Sequence, residues 1–200
     1  MSKDDSIKVI LVGDTGVGKT NLIKVMLDKE FDENSQTTQQ LSNFQNQMTY
    51  KGRNYKYILW DTSGQEKFRS LNKKFIKDSK ILLTVFSIDN LNSFESIDYW
   101  ISVIKEELKD NNYILALVGN KMDLEQNEKK FDKEIEDKVN KHGIKYKYLS
   151  SAKENPEGLK KFMEQLLIAY IEEFGDKIIV AKSVRLNKEV VGKKKRENCC

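Results

Sequence analysis

Gly13-Asp14-Thr15-Gly16-Val17-Gly18-Lys19-Thr20 fits the pattern G-x-x-x-x-G-K-[ST]. Its glycines let the backbone curl until several N–H groups point into one hollow. A helix opening at its end, with Asn21 in the first turn, adds the partial positive charge of its N-terminus. Lys19 would reach the β- and γ-phosphates of a nucleotide, and the Thr20 hydroxyl would bind Mg²⁺. The plainer reading, a glycine-rich turn with a chance lysine, leaves the flanking strand and helix unexplained.

A second group, Asp61-Thr62-Ser63-Gly64-Gln65-Glu66, follows the apolar run Tyr57 to Trp60. An acid at a strand end beside a phosphate loop suits Mg²⁺ held through water. Gly64 lets a backbone N–H approach a terminal phosphate oxygen. Gln65 is neutral, with donor and acceptor, so it can orient an attacking water. The third group is Asn120-Lys121-Met122-Asp123. A carboxylate there can accept from guanine N1–H and the exocyclic amine, a pair that adenine does not offer. The fourth is Ser151-Ala152-Lys153, where a backbone N–H could meet guanine O6. Alone, the last three groups are no more than turns; their weight comes from position.

The elements that must hold these groups alternate along the chain. Ile7 to Val12, Phe44 to Tyr50, Tyr55 to Trp60, Ile81 to Ile88, Tyr113 to Val118 and Ile144 to Leu149 read as strands. Lys51-Gly52-Arg53-Asn54 joins two of them as a hairpin. Helical stripes run over Asn21 to Leu27, over Phe94, Ile97, Ile101, Ile104 and Leu108, within 128–141, and from Leu159 to Tyr170, ending near Gly175. Strands separated by helices imply parallel βαβ units. The expected fold is a three-layer α/β P-loop NTPase sandwich. It has about six mostly parallel strands, one antiparallel edge strand and about five helices. His142 is expected exposed at a helix end, and Trp100 is either core or a partly exposed anchor.

Composition removes other classes. In 200 residues, 38% are hydrophobic, enough for a packed core. Two Cys exclude a disulfide scaffold, and one His disfavours a His-based metal centre or a Ser-His-Asp hydrolase. The polar start gives no signal-peptide pattern, and no apolar run approaches membrane-spanning length, which points to the reducing cytosol. Net charge is +4, but residues 182–200 carry seven Lys and Arg against two Glu. The body is thus close to neutral, and a nucleic-acid-binding face is not expected.

Taken in order at strand ends, the four groups closely resemble those of the Ras-like small GTPases, and within them the Rab family. The resemblance covers residues 6–175 and the tail ending. Trp60 before Asp61-Thr62, followed by Gly64-Gln65-Glu66, is especially Rab-like. It implies a GTP/GDP-cycling switch with Mg²⁺, in which the loop from Asp14 to Asn21 (Asp14, Thr15, Gly16, Val17, Gly18, Lys19, Thr20, Asn21) binds phosphates. Phe31 would pack on the guanine edge, with Asn120, Lys121, Asp123, Ser151, Ala152 and Lys153 around the base. Thr38 would be the switch threonine, its hydroxyl on Mg²⁺ and its N–H on the γ-phosphate. The family's spacing from Lys19-Thr20 to Trp60 favours Thr38 over Thr37. Lys19, Thr38 and Gln65 become the catalytic set, and Thr20, Thr38 and, through water, Asp61 the metal set. Further implied partners are an exchange factor, a GTPase-activating protein, and effectors bound through residues about 38–44 and 62–78. The protein would be a monomer that recruits effectors in vesicle trafficking.

Two stretches depart from that family. Rabs continue Ile-Gly-Val-Asp-Phe after the threonine, where this chain has Gln39-Gln40-Leu41-Ser42-Asn43 and then Phe44. Phe44 is a candidate substitute for the aromatic, but one residue of slip turns a strand side chain to the other face. Phe75-Ile76-Lys77-Asp78 stands where Rabs carry Tyr-Tyr-Arg-Gly. These changes leave open a binding scaffold that holds GTP without cycling. A P-loop ATPase or kinase is disfavoured by Asn120-Lys121-Met122-Asp123.

The chain divides into a nucleotide domain, 1–176, and a flexible basic tail, 177–200, ending Glu197-Asn198-Cys199-Cys200. That ending resembles the double-geranylgeranyl signal of Rabs. Prenylation machinery, escort proteins and the cytosolic face of an intracellular membrane are then implied. Two lipid chains give a stable anchor where one is marginal, and basic residues add attraction to anionic lipid.

Overall fold

β4 (Ile81–Ser87) is buried at every position, and β5 (Ile114–Asn120) at every position but Leu115. Strands of this kind fit only mid-sheet, with both faces covered. A computed structural model of the chain places them there. It describes residues 6–38, 41–62, 74–110, 112–124 and 132–194, with side chains as far as residue 175. With β1 (Ile7–Val12), β2 (Ser42–Tyr50), β3 (Arg53–Asp61) and β6 (Tyr146–Leu149), they form one six-stranded sheet ordered β2-β3-β1-β4-β5-β6. All pairings are parallel except β2 with β3. β2 alternates half-buried and exposed residues, as an edge strand covered on one face does. Its hairpin turn is only Lys51-Gly52, at φ 47 and 73, the handedness that two-residue hairpins favour.

Helices cover both faces. α1 (Lys19–Met26) and α5 (Pro156–Lys194) lie on one side. Leu22, Ile23, Leu159, Phe162 and Leu166 pack there against Val9 and Leu11. α2 (Leu91–Glu95), α3 (Ile97–Glu107) and α4 (Asp132–His142) lie on the other. Trp100 and Ile104 meet Ile10 and Val12, while Ile97, Ile101 and Ile135 meet Leu117. β1 thus feeds alternate residues into two cores, and each such buried side chain contributes about 1.5–3 kcal/mol. Trp100 is fully buried, which resolves its two readings in favour of core. The three-layer α/β arrangement is the expected one. Because β1, β3, β5 and β6 run parallel, the chain leaves all four at one edge of the sheet.

Several expectations are corrected. The stripe expected as one helix over 94–108 is two segments, because Asn90 caps an earlier start by accepting from Ser93 N–H. They meet at Ser96, through which hydrogen bonding continues: Ser96 N–H donates to Asn92 O and Trp100 N–H to Ser96 O. α5 does not end near Gly175; it runs to Lys194. Gly175 does not take the left-handed conformation of a C-cap, so it is an interior helical residue. The tether expected from 177 is therefore helical backbone as far as Lys194. The terminal cysteines lie outside the described residues.

Phe44 does not replace the aromatic missing from β2. It pairs opposite Leu59, and its side chain packs with the α1–α5 core. Asn43 pairs opposite Trp60 and shares its face. On that face Trp60 stacks on Phe75, ring centroids 5.7 Å apart.

His142 is not an exposed helix end: its side chain is 12% exposed, and Nε2 meets Asp98 Oδ1. Lys138 Nζ (3.1 Å) and Lys141 Nζ (3.2 Å) reach the same carboxylate, tying α4 to α3. Burial alone would raise the Asp98 carboxyl, but hydrogen bonds from His142, Lys138 and Lys141 outweigh it and hold it well below the usual carboxylate range. Its stabilising contribution is therefore complete above the unfolded carboxyl range, near pH 4, and is lost as pH falls toward the lower folded value. With the Asp98 side chain 41% exposed, solvent screens the pairs. Asp98→Asn should cost about 1 kcal/mol or less at pH 7. In urea titrations the difference from wild type should shrink steadily below about pH 4; a constant difference would exclude the carboxylate as its source.

Candidate functional site

β1 delivers the chain to Gly13, and Gly18 caps the start of α1, its carbonyl accepting Leu22 N–H at 2.9 Å. The loop between them is pressed against its neighbours. A Cβ on Gly13 would lie 2.1 Å from Val85 O, and one on Gly18 would lie 2.3 Å from Asn120 Nδ2. Inside the curl, Lys19 Nζ donates to the carbonyls of Gly13 and Asp14, each at 2.8 Å. Burial pushes Lys19 down to about 8, against the opposing pull of Asp61 and Asp14. An ammonium this poorly hydrated gains much from an anion. Thr15, Gly16, Gly18, Lys19 and Thr20 line a cavity of about 250 Å³, closed on the far side by Thr37 and Thr38.

Three oxygens meet beside that cavity, two of them on the lining residues Thr20 and Thr38. Thr20 Oγ1 donates to Asp61 Oδ2 at 2.8 Å and lies 2.7 Å from Thr38 Oγ1. Asp61 is buried at the end of β3, and its Oδ1 has no hydrogen-bond partner among the described residues. Burial raises its carboxyl, while Thr20, Lys19 and Thr38 pull it back. A buried carboxylate oxygen left over beside two hydroxyls is the donor set of a hard divalent cation, so the residues fit Mg²⁺. Thr38, which the sequence alone could not separate from Thr37, is the threonine whose hydroxyl joins this cluster. Thr62 anchors the end of β3 to β1 by donating to Leu11 O at 2.7 Å.

A second hollow of about 200 Å³ continues the first past Gly18 and Phe31. Lys121, Asp123, Ala152 and Lys153 line it, as does Asn120. Asn120 works as a clamp: Nδ2 donates to Val17 O at 2.9 Å, and Oδ1 accepts Ala152 N–H at 3.1 Å. Lys121 takes a left-handed backbone conformation (φ 64), which turns the chain sharply off β5 into the Met122–Leu124 turn that carries Asp123. Ser151 Oγ accepts from Lys153 and Glu154 N–H, shaping the loop after β6. The Ala152 N–H, which would otherwise be a donor for a base carbonyl, is thus donated to Asn120 Oδ1 here. The Asn21 side chain bonds the Asp32 backbone in both directions, which seats the segment carrying Phe31. Lys153 Nζ closes over the hollow onto Glu33 at 2.6 Å.

Ser63, Gly64, Gln65 and Glu66 lie outside the described residues. Among the others, the folded chain brings together the phosphate loop, Asp61, Thr38, Phe31, the Asn120–Asp123 segment and Ser151–Lys153. Sequence reasoning missed the clamp role of Asn120, the Thr62 anchor and the Glu33–Lys153 bridge. Thr62 carried a faint signal as a polar residue at the end of a buried strand. The other two depend on segments far apart in the chain and have no sequence signature.

The family model described as the Ras family matches residues 8–172. The chain is 32% identical over 167 residues to Ras-related protein Rab-21 of Bos taurus, covering 84% of this chain and 74% of that protein. The identity to Ras-related protein Rab-21 of Homo sapiens is also 32% over 167 residues, covering 73% of that protein.

The clamp makes a prediction about the protein alone. Asn120→Ala leaves Val17 O and Ala152 N–H buried without their partner. It should lower unfolding stability by about 1–3 kcal/mol in denaturant titrations; an unchanged midpoint would mean that the two loops are held by other contacts.

Proposed function

Because the chain belongs to the Ras family of small GTPases, in its Rab branch, and is therefore a GTP hydrolase, we propose that it cycles between GTP and GDP at the two joined hollows. The observation carrying this reading is the convergence of the Thr20 and Thr38 hydroxyls on Asp61 beside the Lys19 loop. In it, Lys19 exchanges the Gly13 and Asp14 carbonyls for β- and γ-phosphate oxygens. Loop N–H groups and the N-terminus of α1 cradle the same phosphates. Thr20, Thr38 and, through water, Asp61 hold Mg²⁺, which supplies positive charge to offset that of the phosphates. Asp123 reads the guanine edge, Phe31 packs beside the base, and Asn120, Lys121 and the Ser151–Lys153 loop frame it.

Hydrolysis is in-line attack of water on the γ-phosphorus. The bond from that phosphorus to the β,γ-bridging oxygen breaks, giving GDP and phosphate. Gln65 orients the water. Thr38 and Gly64 N–H groups contact the γ-phosphate, so its loss releases both switch segments. Intrinsic turnover is slow, and an activating protein's arginine would raise it by about 10³–10⁵. The effector-facing surface spans 38–44 and 62–78. Prenylation of Cys199 and Cys200 beside the basic run would hold the protein on a cytosolic membrane leaflet, where it recruits effectors in vesicle transport. No described helix is long and apolar enough to cross a membrane. A non-cycling scaffold is favoured by one observation only, the polar Asn43 beside Trp60 on the switch-side face.

Two variants test the reading. Gln65→Leu should slow single-turnover phosphate release at least about tenfold, while the GTP complex still forms. Equal rates would remove Gln65 from the reaction, and no release by wild type, even with candidate activators, would favour the scaffold. Asp123→Asn should shift preference from GTP toward xanthosine triphosphate in competition experiments; retained preference for GTP would overturn base reading by Asp123.

A further inference from the structure

Asp14 places a carboxylate inside a loop whose proposed ligand is a polyanion. Like charges at such distances repel strongly where water is scarce. The carboxylate must therefore be kept out of the phosphate hollow. It does not line the 250 Å³ cavity, although Thr15, Gly16, Gly18 and Lys19 do. Its Oδ1 instead accepts the indole Nε1–H of Trp100 at 3.0 Å. Trp100 comes from α3, across the sheet edge from the loop, and is fully buried. Ile10, Val12, Leu82 and Ile104 hold it in one core, so the donor cannot follow a moving loop. A buried indole N–H finding such an acceptor is not automatic in this chain: Trp60 Nε1 is also buried and has no partner among the described residues. The same Asp14 offers its main-chain carbonyl to Lys19 Nζ at 2.8 Å. Rotation of Asp14 would therefore disturb the lysine that meets the phosphates.

We infer that Trp100 is a positioning residue for nucleotide binding, its indole N–H fixing the Asp14 carboxylate away from the phosphate hollow. The inference rests on the proposed reading of that hollow as a polyphosphate site. It explains how a loop of this type carries an acid at its second position. It also connects α3, which touches no part of the lined cavity, to the rate at which nucleotide leaves.

Release of a fluorescent GDP analogue from the full chain with Mg²⁺ tests it. Trp100→Phe keeps an aromatic ring but removes the donor, and release should accelerate about tenfold, the worth of a hydrogen bond to a charged acceptor. Adding Asp14→Asn removes that charge, so the double variant should return most of the way toward wild type. A purely structural role for the indole predicts no such rescue. Equal release from Trp100→Phe and wild type, or acceleration that Asp14→Asn leaves untouched, overturns the inference while leaving the GTPase reading intact. Failure of wild type to bind any guanine nucleotide overturns both. Should Trp100→Phe not fold, the Trp100 indole N–H resonance decides on the wild-type fold. It should shift with Asp14→Asn and stay protected from exchange in the GDP complex; loss of protection on GDP binding would refute the inference.

Discussion

The phosphate loop can sit where it does only because two of its positions carry no side chain. At Gly13 the backbone runs against the carbonyl of Val85, and at Gly18 against the Asn120 amide. The first contact docks the loop on the central strand β4; the second lets Asn120 reach across to Val17. Everything that recognises a nucleotide in this reading follows from those two close approaches. They bring the end of β1 within hydrogen-bond reach of the end of β5, and through Ala152 of the loop after β6.

Around that backbone, charges are concentrated and each is restrained. Lys19 is nearly fully buried, yet two loop carbonyls accept hydrogen bonds from its ammonium. Asp61 is buried beside it, its Oδ2 accepting from Thr20 and its Oδ1 without a partner among the described residues. Asp14 is turned toward Trp100. A low-dielectric site makes each of these groups costly alone and strong together, which is the condition for binding a highly charged ligand selectively. The α1 side holds the phosphate machinery, while the α3 side holds the groups that brace it.

The switch-side surface of this chain is set by register as much as by composition. Phe44 is close in sequence to the position where an aromatic is expected, but the antiparallel ladder pairs it with Leu59 and turns it into the α1–α5 core. Asn43 takes the place beside Trp60 instead. The face formed with Trp60 and Phe75 is therefore part aromatic and part amide.

The amino-acid sequence by itself determined the strands, their mostly parallel direction, the phosphate loop and the strand-end placement of Asp61, Asn120–Asp123 and Ser151–Lys153. These features are local: a buried run, a turn type or a glycine spacing is complete within about ten residues. Only the tertiary structure decided which threonine meets Thr20, which face Phe44 takes, that His142 is enclosed by Asp98, and that α5 continues past Gly175. It also decided that Trp100 serves the loop as well as the core. Each of these depends on a partner far away in the chain, or on a one-residue register. Local spacing carries no information about such pairings until the sheet has closed and the helices have packed.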